Sequence, residues 1–257
     1  MNTIVILALL PSVILAWWIY RQDKLRKEPV TTLALAFVAG ILSVVLVLIL
    51  HSIFEASALS KAAQASPFVQ AFVSAALVEE SAKLFVFLML IWNNEHFDER
   101  FDGIVYACYI GLGFAFLENI SYFSMYDDLV GLFIGRALFS VPGHFLFGVL
   151  MGYFLGLAKF ADNSAKQWGY VFAGLFMAVL AHGVYDYLLM KAESALRYNA
   201  GLSVLLNVGF YVFDFILWRV GLKRLHRMQA IDAANGFSRN ASKPSRDEDW
   251  RQRPPVV

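Results

Sequence analysis

Within long apolar stretches this chain carries four sets of polar residues at helical spacing. They are Glu79-Glu80-Ser81-Ala82-Lys83, Phe114 with Glu118-Asn119, His144, and His182 with Asp186. A charge at bilayer depth costs about 2.5–3.5 kcal/mol on insertion scales, so residues of this kind need a partner or a task. Two neighbouring carboxylates resist joint ionisation, which prepares Glu79 or Glu80 to take a proton from water as a general base. Lys83, one turn from Glu79, can keep one of the pair ionised. His182, its ring held by Asp186 one turn on, can donate to a developing oxyanion, the need of acyl-transfer chemistry. The sequence contains no G-x-S-x-G elbow and no H-E-x-x-H, and Cys108 has no evident base. Serine, cysteine and HExxH zinc mechanisms are therefore disfavoured.

The elements that must position these residues are membrane helices. Hydrophobic residues make up 59% of the 257 and charged residues 16%, against about 25% charged in soluble domains. The net charge of +1 points to no nucleic-acid partner, and a lone Cys108 excludes an internal disulfide or a multi-cysteine metal site. Seven apolar segments are long enough to span about 30 Å, near 3–20, 30–54, 68–92, 101–124, 129–158, 168–190 and 201–222. The fold expected is all-α, a polytopic bundle of about seven transmembrane helices. Arg21, Lys24, Arg26, Lys27, Arg100, Lys159, Lys166, Lys223, Arg224 and Arg227 fall on one side, against Lys61, Lys191 and Arg197 on the other. That bias predicts the N-terminus outside and the C-terminus inside. Residues 1–223 read as one transmembrane domain with its motif helices over 68–190, and 224–257 as a disordered cytoplasmic tail.

Each motif helix also carries small residues at every fourth position: Ala71-Ala75-Glu79-Lys83, Ala107-Gly111-Ala115-Asn119, His144-Gly148-Gly152-Gly156 and Gly174-Ala178-His182-Asp186. Such stripes let membrane helices approach closely, so the polar groups are expected to face the bundle interior. At a rise of 1.5 Å per residue, Glu118, His182, Glu79 and His144 lie roughly 9, 12, 16 and 22 Å from the outer ends. A pocket open to the outside would reach all four. Arg136 and Asp214 read as packing charges in need of partners, and His51 as a helix-end residue without chemical work.

The set EExxK (Glu79, Glu80, Lys83), FxxxEN (Phe114, Glu118, Asn119) and HxxxD (His182, Asp186) resembles the PrsW intramembrane proteases, grouped with the CAAX prenyl endopeptidases and bacterial Abi proteins. The resemblance covers residues 70–190. It implies a multi-pass endopeptidase of the bacterial inner membrane, acting on a membrane-anchored protein or peptide of the anti-sigma-factor type as a site-1 protease. It places Glu79, Glu80, Glu118 and His182 in catalysis, supported by Lys83, Asn119, His144 and Asp186. Glu118 and Asp186 stand where the CAAX endopeptidases have a His and an Asn. Glu79 or Glu80 is expected as base, with Glu118 positioning the water and His182 as electrophile.

No cofactor is required by the sequence. Zinc could be held by Glu79, Glu118, His144 and His182, where it would lower the pKa of bound water. A proton- or ion-coupled transporter would also need buried Glu, His and Asp, but no motif is duplicated between the two halves as inverted-repeat transporters require.

Overall fold

In the computed structural model, residues 2–55 and 66–235 are described. They form seven helical rods. α1 is Asn2–Gln22 and α2 is Val30–Glu55. α3 covers 67–90 as a turn at Pro67–Val69, a π-helical stretch Gln70–Leu77 and an α-helix Val78–Leu90. α4 is Arg100–Met125. α5 runs Leu129–Lys159, with a π-helical stretch Arg136–Ser140 in it. α6 is Ser164–Leu196 and α7 is Ala200–Ala234. Six of these are long and apolar enough to cross a membrane as single helices. The π stretch divides the seventh, α3.

The helix starts follow local chemistry. The side chains of Asp128, Asn163 and Asn199 each accept a hydrogen bond from a backbone N–H three residues on, which satisfies a free donor of the first turn. Each π stretch has a specific feature beside it. The Ser74 carbonyl is 2.7 Å from His51 Nε2 of α2, so an acceptor of α3 is served from outside its own ladder. His51 thus ties the end of α2 to α3. In α5, Pro142 has no N–H to return to the preceding turn, and Val141 N–H bonds the Arg136 carbonyl five residues back.

α4 and α5 form the centre of the bundle. α1 and α2 pack on α4, α6 and α7 pack on α5, and α3 closes the ring between α2 and α6. The small-residue stripes of α4 and α5 make their close contact. A Cβ on Gly152 would lie 2.3 Å from the Gly103 carbonyl oxygen, and one on Gly103 would lie 2.6 Å from Gly156 N. The outer helices turn large apolar side chains outward, among them Trp17, Leu48, Phe172 and Phe215, as a lipid-facing surface requires.

α7 continues to Ala234, beyond the expected end near 222 and into the expected tail from 224. Its last turns are fixed by packing: Leu225 and Met228 are buried, and Asp232 accepts from Phe101 N at 2.8 Å and lies 3.4 Å from Arg100 Nη1. Residues 236–257 of the expected tail lie outside the described residues, as does Lys61.

Candidate active site

Four helices deliver the polar residues to one layer. The α-helical part of α3 starts at Val78, so Glu79, Glu80 and Lys83 share its first turns. α4 brings Glu118 and Asn119, α5 brings Arg136 and His144, and α6 brings His182 and Asp186. The four-residue step from His182 to Asp186 keeps both on one face, with His182 Nε2 3.3 Å from Asp186 Oδ2.

The layer is one connected network. Glu80 is fully buried, and its Oε1 takes Lys83 Nζ at 2.7 Å and His182 Nδ1 at 3.0 Å. Lys83 Nζ also stands 3.1 Å from His144 Nδ1 and 3.5 Å from Glu79 Oε2, and lies over the Phe114 ring. An ammonium has only donors, so His144 Nδ1 must accept. His144 then carries its proton on Nε2, which reaches Glu118 Oε2 at 3.0 Å. Both nitrogens of His182 face carboxylates, Nδ1 towards Glu80 and Nε2 towards Asp186 and Glu79. Phe147 stacks on the His182 ring at 4.7 Å between centroids and fixes its plane.

Burial sorts the groups. The side chains of Glu80, Lys83, His144 and His182 are at most 5% exposed, whereas Glu79, Asp186 and Glu118 are 13%, 20% and 22% exposed. Three carboxylates therefore form the accessible rim, with the cationic and imidazole groups beneath. Glu79 differs from its neighbour in one respect. Its Oε2 is buried and has no hydrogen-bond partner among the described residues.

Arg136 joins this layer although it lies outside the motifs. Its Nη2 donates to Glu118 Oε2, its Nε donates to Asn119 Oδ1, and its guanidinium lies over the Tyr122 ring. One side chain thereby ties α5 to two adjacent residues of α4. A lone Arg in an apolar segment was the available signal, but a sequence does not name its partner. Asp214 of α7 stays apart, and its Oδ1 has no hydrogen-bond partner among the described residues.

The donor atoms that could share a metal ion here belong to Glu79, Glu80 and His144, all within 4.8 Å of one another. Two carboxylates and an imidazole suit zinc, and Glu79 Oε2 accepts no hydrogen bond, its charged neighbours being Lys83 Nζ at 3.5 Å and His182 Nε2 at 4.0 Å. The same three side chains, however, surround Lys83 Nζ at 3.5, 2.7 and 3.1 Å. A metal ion would have to share that space with an ammonium, so the residues as arranged do not fit one.

A family model described as PrsW family intramembrane metalloprotease matches residues 28–218. Protease PrsW of Geobacillus kaustophilus is 34% identical over 236 residues, covering 91% of this chain and 93% of that protein. Protease PrsW of Oceanobacillus iheyensis is 35% identical over 84% of this chain and 92% of its own. Protease PrsW of Bacillus subtilis is 31% identical, covering 90% and 98%. No solved structure matches the chain.

Proposed function

This chain belongs to the PrsW family of intramembrane proteases, and we propose that it cuts a membrane-anchored protein with water activated by Glu79. As a family member it is a membrane-embedded peptide hydrolase of the bacterial inner membrane. The choice of base rests on one contrast. Glu80 Oε1 is engaged by Lys83 and His182, whereas Glu79 Oε2 is buried without a hydrogen bond. Glu80 is then the ionic anchor of the layer, and Glu79, held more loosely by Lys83 at 3.5 Å, is the one left to accept a proton.

In this scheme a water on the rim between Glu79 and Glu118 loses a proton to Glu79 as its oxygen attacks the scissile carbonyl carbon. The His182 ring and the Arg136 guanidinium supply positive potential to the carbonyl oxygen as it becomes an oxyanion. Glu79 then passes the proton to the departing amine nitrogen, and a carboxylic acid and an amine are released. No step passes through a metal, because Lys83 already places a positive charge among the carboxylates.

The substrate class is a single-pass membrane protein of the anti-sigma-factor type. The N-terminus lies outside and the C-terminus inside, by the excess of Lys and Arg on the side of residues 21–27. The cut then falls in the outer half of the bilayer. A transporter is set aside, since the relatives matched are named proteases. Membranes from cells carrying the wild-type chain or Glu79→Gln should differ in shortened single-pass proteins, with the intact forms accumulating in the variant. Identical patterns of single-pass fragments would overturn the assignment of Glu79.

A further inference from the structure

A second group of carboxylates lies at the other end of the bundle core. Asp102 is sixteen residues before Glu118 on α4, roughly 24 Å away along the helix. Donor oxygens of Glu28, Asp98 and Asp102 fall within 4.8 Å of one another. Asp23 and Glu99 stand beside them, and Asp23, Glu28, Glu99 and Asp102 are all buried. Two cationic side chains stand at the edge of the group: Arg26 reaches Asp98 at 3.3 Å and Glu99 at 3.9 Å, and Lys27 lies close enough to Asp23 to act on its charge.

The Asp102 side chain gives the second, independent indication. Its Oδ2 accepts from the backbone N–H of Asp98 at 3.0 Å and of Glu99 at 2.6 Å. Its Oδ1 is equally buried, yet has no hydrogen-bond partner among the described residues. Asp23 repeats the pattern. Its Oδ2 takes the Glu28 N–H at 3.2 Å, while its Oδ1 is buried and unpartnered. A buried carboxylate oxygen without a donor is costly, and here such oxygens border on a cluster already rich in negative charge.

We propose that Glu28, Asp98 and Asp102 bind one hard divalent cation of the calcium or magnesium class. The donors are oxygens alone, with neither imidazole nor thiolate among them, which selects hard ions over zinc or copper. One ion with bonds of about 2.4 Å can reach all three side chains, since their oxygens lie within 4.8 Å of one another. Tyr106 donates its hydroxyl to Glu28 Oε2 and so fixes one ligand in place. The ion joins the α1–α2 connection to the α3–α4 connection and the first turn of α4. It acts as a clamp on that end of the bundle.

The test uses the full chain, purified in detergent. After stripping with a strong chelator, calcium or magnesium is titrated while thermal unfolding is followed. Manganese binding is counted by electron paramagnetic resonance. Expected are one bound manganese per chain and a saturable rise in Tm of about 5 °C. Affinity should fall at least tenfold in Asp98→Asn and Glu28→Gln, and stay unchanged in the control Asp162→Asn, whose side chain is 79% exposed. Asp98, with a side chain 22% exposed, is the variant least exposed to folding failure. Absence of saturable binding, or unchanged affinity in Asp98→Asn and Glu28→Gln, overturns the proposal. A preference for zinc over the hard ions does so as well.

Discussion

Lys83 Nζ and His144 Nδ1 lie 3.1 Å apart on two different helices, and the contact fixes the proton of the imidazole on its far nitrogen. The ammonium also centres the pair Glu79 and Glu80. One lysine thus sets the charge of the layer and the direction in which His144 donates.

The two adjacent glutamates should respond differently to the same change. Glu79→Gln is expected to lower kcat by about 10²–10⁴-fold, the usual worth of a general base, and to leave unfolding nearly unchanged. Glu80→Gln leaves Lys83 and His182 without their shared carboxylate and should cost about 3–5 kcal/mol of stability. Cleavage of a reconstituted substrate and thermal unfolding of both proteins separate the roles. Equal activity loss with equal destabilisation would remove the distinction.

A chelator selective for zinc should leave cleavage by the purified protein intact, because Lys83 stands where the ion would sit. Metal analysis of the active protein should find no stoichiometric zinc. Loss of activity on chelation, restored by added zinc, would return the metal to the mechanism.

Arg136→Lys should abolish most of the activity even though it keeps the charge. A lysine cannot donate to Glu118 and Asn119 at once with the fixed fork of a guanidinium. If Arg136 also polarises the carbonyl, the loss falls on kcat more than on KM. A variant with wild-type kcat would show that the clasp has no part in the reaction.

Gly152→Ala should destabilise the α4–α5 contact by about 1–3 kcal/mol, since its new methyl would meet the Gly103 carbonyl oxygen at 2.3 Å. Gly169→Ala, with nothing within 4 Å of the added Cβ, is the matched control. Unfolding in a mild detergent measures both.

The orientation can be tested with few changes, because the lone Cys108 is fully buried. A cysteine at Asn199 should react with a membrane-impermeant thiol reagent in intact cells, and one at Asp162 only after the membrane is opened. The reverse pattern would invert the topology and move the site to the inner half of the bilayer.

Much of the architecture is legible in the residues. Apolar runs mark each rod, and the Gly148-Gly152-Gly156 stripe of α5 meets the Gly103-Ala107 stretch of α4, since close packing needs small residues on both helices. The π pitch of Gln70–Leu77 is not legible. The His51 contact to its Ser74 carbonyl comes from another helix, and local periodicity carries no word of that. The end of α7 was obscured for a similar reason: its last turns look polar, but Asp232 is held by Phe101 and Arg100. The zinc set expected from sequence mixed Glu79, Glu118, His144 and His182, whereas Glu79, Glu80 and His144 are the three whose donor atoms converge. Which side chains meet across a bundle depends on the rotation of each helix about its axis. Arg136 likewise needed the structure to supply its partners.

The π-helical stretch just before Glu79 has a consequence for how such a protein can change. Residue count in that stretch, more than residue type, sets the direction in which the glutamates point. A π stretch turns less per residue than the roughly 100° of an α-helix, so gaining or losing a residue in Gln70–Leu77 would change the rotation at which Glu79, Glu80 and Lys83 together meet His144 and His182. The segment works as an aiming ring: its residue count sets the direction of three members of the layer without including any of them.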